Sequence, residues 1–192
     1  MGRHEEILER AAELFNELGY RGASVQQVAR RVGLLKGSLY HHVRSKEQLL
    51  GEVLLRGMEL LRKGLPGADD ARLPADEKIR AAICFHLEWM ASQPHVTGVF
   101  LRELPNLPAR LRRRLSGEVK EFEARWVALI REGIVAGALR ADLDPKLTVY
   151  AILGLVNSVH RWYRPQGRLT MKQIAEQYAD LILDGLRRRA GE

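Results

Sequence analysis

The 192-residue sequence predicts an all-α protein, and three observations carry that prediction. Apolar residues recur at spacings of three and four through most of the chain. No stretch alternates with the period of two that a half-buried strand requires. Residues 24–50, SVQQVARRVGLLKGSLYHHVRSKEQLL, hold the start and stop signals of short helices around a glycine turn. Two helices joined by such a turn form a helix-turn-helix, whose second helix enters the DNA major groove.

The elements follow in order. A first helix is expected over 4–18, with Ile7, Leu8, Ala11, Leu14, Phe15 and Leu18 on one stripe and Glu5, Glu6, Glu9 and Glu13 outside. Gly19 ends it. Ser24 is a good N-cap and Gln27 completes a capping box, so Val25, Val28, Ala29 and Val32 form the buried face of the next helix. Gly33 supplies its left-handed C-cap. A short helix from Leu35–Lys36 turns Leu39 and Val43 inward. Ser45, with Gln48 three residues on, then caps a helix over 46–63, in which Leu49, Leu50, Val53, Leu54, Met58 and Leu61 face the core.

GLPGADDARLPADEK is the clearest loop in the chain. Helices are then expected over 75–92, stopped before Pro94, over 95–104, stopped by Pro105, and over 108–137. The last of these repeats Leu111, Leu115, Val119, Phe122, Trp126, Leu129 and Ile130 at helical spacing. Asp144-Pro145 opens a helix to about Tyr163 that is apolar on two faces and so needs covering on both. Thr170 caps a final helix to about Arg189, with Ile174, Tyr178, Leu181, Ile182 and Leu186 inward. The expected division is a DNA-binding domain over 1–48 and a helical ligand-binding and dimerisation domain over 49–192.

Charge points the same way. Arg21, Arg30, Arg31, Lys36, Arg44 and Lys46 fall in one window without an acidic residue, giving it +6 of the chain's net +7. Clustered cations that neutralise phosphates supply most non-specific DNA affinity. The acidic face of the first helix should then point away from DNA. The one cysteine, Cys84, has no intrachain partner and sits among apolar residues, which fits core packing in a reducing cytoplasm. No run of about 18 apolar residues and no apolar signal core occurs, so neither membrane spanning nor secretion is expected.

The segment GYRGASVQQVARRVGLLKGSLYHHVRSKEQLL resembles the DNA-binding domain of the TetR family of bacterial repressors. The Gly-Tyr before the helix-turn-helix, the Ala-x-x-x-Gly turn, KGSLYHH and the Ser-Lys-Glu start of the next helix all align, across residues 4–50. The resemblance implies a TetR-like, all-helical homodimer whose N-terminal domain binds a palindromic double-stranded operator and whose remaining helices bind a small-molecule effector. Positions matching Lys36, Gly37, Ser38, Tyr40 and His41 touch bases or phosphates in the family. The position matching Lys46 grips a phosphate, and those matching Ser24 and Gln26 touch the backbone and a base. The residues suit these roles. Lys36, Ser38, Tyr40 and His41 lie on the exposed arc of their helix, Gln26 can pair with adenine, and Gly37 lets the backbone approach phosphate. His42 either packs under the turn or contacts DNA. One departure is Leu35, where the family has a small polar residue. The helix that follows lacks its usual N-cap, and Leu35 either meets a thymine methyl or packs on the neighbouring domain.

The last two helices are the expected dimer interface, with Ala151, Gly154 and Gly185 permitting close approach. Phe85, Glu88, Trp89, Phe100, Trp126, Tyr150, Leu153 and Asn157 are the candidate effector-binding residues, an apolar set with a few polar points. The wording AILGLVNSVHRWYRPQGRLT…IAEQYADLILDGL resembles a TetR subgroup that governs fatty-acid, aromatic-acid or sterol breakdown and responds to acyl-CoA thioesters. Arg102, Arg110, Arg112, Arg113 and Arg114 either meet CoA phosphates or form a solvated basic helix start. No cofactor, metal or catalytic constellation is expected: His86 and Glu88 face different sides of their helix, and no zinc spacing, phosphate loop or nucleophile motif occurs. The alternatives are an efflux-pump regulator that responds to a free hydrophobic compound, and a helical-bundle enzyme or binding protein with a vestigial helix-turn-helix.

Overall fold

A computed structural model describes residues 2–65, 73–104 and 107–187. Nine helices occur among them: α1 Arg3–Gly22, α2 Val25–Arg31, α3 Lys36–Tyr40, α4 Lys46–Gly64, α5 Ala75–Ser92, α6 Pro94–Glu103, α7 Ala109–Val135, α8 Pro145–Trp162 and α9 Met171–Leu186. No strand is present among the described residues, only one isolated bridge between Leu139 and Arg187. The all-helical expectation therefore holds, with most helix ends where the capping residues place them. The middle of the expected 64–78 loop, the Pro105 stop and the expected final helix end at Arg189 lie outside the described residues.

Two compact units result, and neither is a single stretch of chain. One comprises Met1–Leu60 with Gln93–Val119, the other Leu61–Ser92 with Lys120–Glu192. In the first, α1 packs on α6 and α2, and α2 on α3. Its core holds Ile7, Phe15, Val28, Leu39, Leu50 and Leu115, all fully buried. In the second, α5 packs on α9 and α8. Trp126 lies at its centre with Ile83, Leu87, Val156 and Leu183.

Three expectations about helices need correction. α1 runs on to Gly22, but Gly19, at φ +72°, breaks it where the sequence placed its end. Leu18, on the last turn before that break, is 47% exposed rather than inward. Leu181 is 65% exposed, because the buried stripe of α9 is Met171, Ile174, Ala175, Ala179, Ile182 and Leu183. Within the single chain, one face of α8 is buried, with Thr148, Val149, Ile152, Val156 and Val159, while Leu147, Tyr150, Ala151, Gly154 and Leu155 on the other are exposed. The caps behave as read. The Asp144 carboxylate accepts from the Leu147 amide at 2.7 Å, and the Thr170 hydroxyl accepts from the Gln173 amide at 3.3 Å.

The interior of the second unit holds a histidine with a shifted pKa that composition hides. His86 is buried, donates one hydrogen bond from Nε2 to the Asn157 Oδ1 at 3.1 Å, and packs against Phe122 and Trp126 at ring-centroid distances of 5.8 and 6.4 Å. Burial pushes its pKa from 6.5 down to about 4, partly offset by the Asn157 hydrogen bond. Between those two values the unfolded chain binds a proton that the folded chain refuses. The stability that rests on this group is therefore present above about pH 6.5 and is lost as the pH falls toward 4. The loss attributable to this group approaches about 3 kcal/mol. Urea unfolding across that range should show a pH slope that His86→Leu removes; an unchanged slope would show that His86 is not protonated on unfolding.

Candidate nucleic-acid interface

Local chemistry builds the helix-turn-helix. The Ser24 hydroxyl accepts from the Gln27 amide at 3.2 Å, and the Gln27 Oε1 accepts from the Ser24 amide at 2.8 Å, a reciprocal capping box. At the other end of α2, Gly33 takes φ +66°. The Leu34 amide reaches the Ala29 carbonyl at 2.9 Å and the Gly33 amide reaches that of Arg30 at 3.2 Å. This is a Schellman ending, and it sets the angle at which the chain enters α3. α3 starts without any side-chain cap, at Leu35, which is 80% exposed. Leu39 and Val43 hold α3 down from below, both fully buried. Ser45 then caps α4, its hydroxyl accepting from the Gln48 amide at 3.0 Å, while the Gln48 Oε1 accepts from the Arg44 amide at 3.0 Å.

This frame presents the candidate DNA residues as follows. Ser24, Gln26, Lys36, Gly37, Tyr40 and His41 are exposed, and Ser38 is half-buried. The Lys36 ammonium stands 6.0 Å from the Tyr40 ring. His42 is exposed rather than packed under the turn.

Lys46 is placed differently from the expectation. Its ammonium donates to the carbonyls of Tyr20 and Ala23, both at 2.9 Å, and approaches that of Arg21 at 3.5 Å. It also lies 4.5 Å from the Tyr20 ring centroid. An ammonium has three donors, so this set occupies it. Arg31 is engaged too, in an ion pair with Glu17 that holds that carboxyl below its usual range. Of the six cations in the basic window, Arg21, Arg30, Lys36 and Arg44 keep no carboxylate partner among the described residues.

The arginines after the first helix-turn-helix also divide. Arg102 donates to the carbonyls of Phe15 and Asn16, both at 2.9 Å, just before the break in α1. Arg112 donates to the Leu107 carbonyl at 3.0 Å. Arg110, Arg113 and Arg114 are exposed at the start of α7.

The eight candidate effector residues are not all brought together. Trp126 is fully buried, and Phe85, Trp89, Leu153 and Asn157 are half-buried. Phe85 fits because Gly64 lacks a side chain; a Cβ there would stand 2.1 Å from the ring. Glu88 is exposed, Tyr150 is 47% exposed, and Phe100 belongs to the first unit. His86, which sequence reasoning set aside, is bonded to Asn157 and packed against Trp126. Its position was recoverable, since 79, 82, 83, 86, 87 and 90 form the buried stripe of α5. Cys84 is half-buried, and burial raises its thiol pKa. No group of three or more metal-ligating side chains is found among the described residues. No described helix is long and apolar enough to cross a membrane.

Comparison with known proteins agrees with this geometry. Residues 7–53 match the family described as bacterial regulatory proteins, tetR family. Residues 72–186 match the tetracyclin repressor-like C-terminal domain. The HTH-type transcriptional repressor KstR2 of Rhodococcus jostii is 31% identical over 186 residues, 96% of this chain and 91% of that protein. The structure of the ketosteroid transcriptional regulator KstR2 of Mycobacterium tuberculosis superposes with a TM-score of 0.89 at 30% identity, over 98% of this chain and 96% of that one. AibR, crystallised with isovaleryl coenzyme A and operator DNA, superposes with a TM-score of 0.83 at 28% identity, over 97% and 98%. A helix-turn-helix at the start, nine helices among the described residues, and matches to both family domains give one conclusion: the chain belongs to the TetR family of bacterial regulatory proteins.

Proposed function

We propose that this chain is a homodimeric transcriptional repressor of the cytoplasm that releases a palindromic operator when an acyl-CoA thioester binds its helical C-terminal domain. The observation that carries the reading is the likeness, over nearly the whole chain, to KstR2 repressors and to AibR, a protein crystallised with both an acyl-CoA and operator DNA. These relatives are regulators, which favours a regulator over an enzyme.

Three features support the parts of the reading. The DNA-reading set is Ser24, Gln26, Lys36, Gly37, Ser38, Tyr40 and His41, which the caps of α2 and the buried Leu39 hold outward. Lys46 acts behind them as the tie that positions the turn. The exposed stripe Leu147, Tyr150, Ala151, Gly154 and Leu155 on α8, with Leu181 and Gly185 on α9, is an apolar face suited to a second copy. A two-fold dimer presents two recognition helices to half-sites roughly 34–36 Å apart. The interior where His86 meets Asn157 and Trp126 is apolar with uncharged polar points, since His86 is neutral at cytoplasmic pH. It suits the hydrocarbon part of a thioester rather than a charged head. Effector binding acts by favouring a dimer geometry that no longer fits the half-sites, which requires different affinities for the two geometries.

Three outcomes are expected. Purified protein on its operator should be released by one or more acyl-CoAs but not by the free acids or by CoA alone; release by a free hydrophobic compound only would move the assignment to efflux control. Tyr40→Ala should cost roughly 1–3 kcal/mol of base discrimination while leaving the oligomer intact, and retained sequence preference in a binding-site selection would refute its contact role. Leu155→Asp with Leu181→Asp should give monomers in sedimentation velocity and lose most operator affinity, whereas an unchanged dimer would place the interface elsewhere.

A further inference from the structure

Leu111 fixes where α7 begins. A Cβ on Gly51 of α4 would stand 2.9 Å from the Leu111 Cδ1, so the glycine lets the start of α7 press directly on α4. Arg110 and Arg114 flank Leu111, four residues apart and therefore on one face of the helix. Both line a cleft of 670 Å³ whose other wall is formed by Tyr40, His41, His42 and Arg44. The residues that end the recognition helix and the arginines that begin α7 thus share one concave surface within the first unit.

The electrostatics of this cleft favour a polyanion. Arg44, Arg110 and Arg114 have no carboxylate partner among the described residues. Of the two acids in the lining, Glu52 is already engaged by the His4 Nε2 at 2.8 Å and the Gln48 Nε2 at 2.7 Å. Glu47 sits in the first turn of α4, where the helix dipole favours an acid. The same dipole disfavours arginine at the start of α7, so helix formation does not account for Arg110 and Arg114. Folding does not account for them either, since both side chains are exposed and neither packs in the core.

We infer that Arg110 and Arg114 form a second DNA-contact surface, binding backbone phosphates beside the bases that α3 reads. Duplex DNA is the occupant because Tyr40 and His41 belong both to this cleft and to the proposed reading face. The inference rests on that reading of α3. The two arginines add affinity and footprint without adding base preference, since phosphate contacts position a protein and carry no sequence information.

The test is the salt dependence of binding by the full-length protein to a mixed-sequence 30-bp duplex and to a selected operator. Each phosphate contact contributes about 0.9 to the slope of log K against log salt. The R110Q/R114Q variant should lower the slope by about 2 per chain on both duplexes, with unchanged base preference and an unchanged melting temperature. R110K/R114K should keep the wild-type slope, and R113Q, outside the cleft, should change it far less. Equal slopes in the wild type and R110Q/R114Q overturn the inference while leaving the repressor reading intact, as does an equal effect from R113Q. A shallow wild-type slope on both duplexes sinks the repressor reading itself. Unchanged slopes with loss of CoA binding in R110Q/R114Q would give the cleft to a phosphorylated small molecule instead.

Discussion

The Lys46 ammonium is the tie on which the DNA-reading unit depends. Breaking α1 at Gly19 leaves the carbonyls of Tyr20, Arg21 and Ala23 near one another, and a helix C-terminal end favours a cation. Lys46 supplies that cation, with its charge also facing the Tyr20 ring. Because Lys46 is the first residue of α4, this contact joins the end of α1 to the start of α4. α2, its Schellman turn and α3 are strung between those two points. Tyr20 is fixed in turn by its amide, which donates to the Glu103 Oε1 at 3.1 Å, and by an edge contact with Phe15 at 5.7 Å. A lysine that the family resemblance marks as a phosphate contact therefore also ties the helix-turn-helix to the end of α1.

How much was legible follows from which forces are local. Ser24, Gln27, Gly33, Ser45, Asp144 and Thr170 act within a few residues of themselves, so their caps and turns could be read directly. Burial stripes were legible where they were long and regular, as on α2, α4 and α5. They failed at Leu18 and Leu181, which lie at an edge of their stripe, where one residue of rotation decides burial. Contacts between distant segments left no mark in the sequence. Nothing near Arg102 announces that it serves the carbonyls of Phe15 and Asn16, and nothing near Arg110 announces Tyr40 as a neighbour across a cleft. The interleaving of the two units belongs to the same class, since α6 packs on α1 despite some eighty residues of chain between them.

His86 illustrates a different limit. Paired with Glu88 in sequence it looks like a poor metal ligand. In the structure its partner is Asn157, some seventy residues on, and its surroundings are Phe122 and Trp126. Buried as a neutral ring among aromatics, His86 adds no charge to its own surroundings while still offering a hydrogen bond.

The uncapped start of α3 has a consequence for time rather than for geometry. Five residues make barely more than one helical turn, and without a side chain at Leu35 to hold the first amides, the segment is not self-sustaining. Its order is lent by Leu39 and Val43 beneath it and, on the operator, by DNA above it. Part of the attraction is then spent on ordering the segment, so association carries an entropic penalty. Departure can begin by fraying one turn instead of lifting a rigid helix at once. Residence on DNA is thereby shorter than a capped, preformed helix would give.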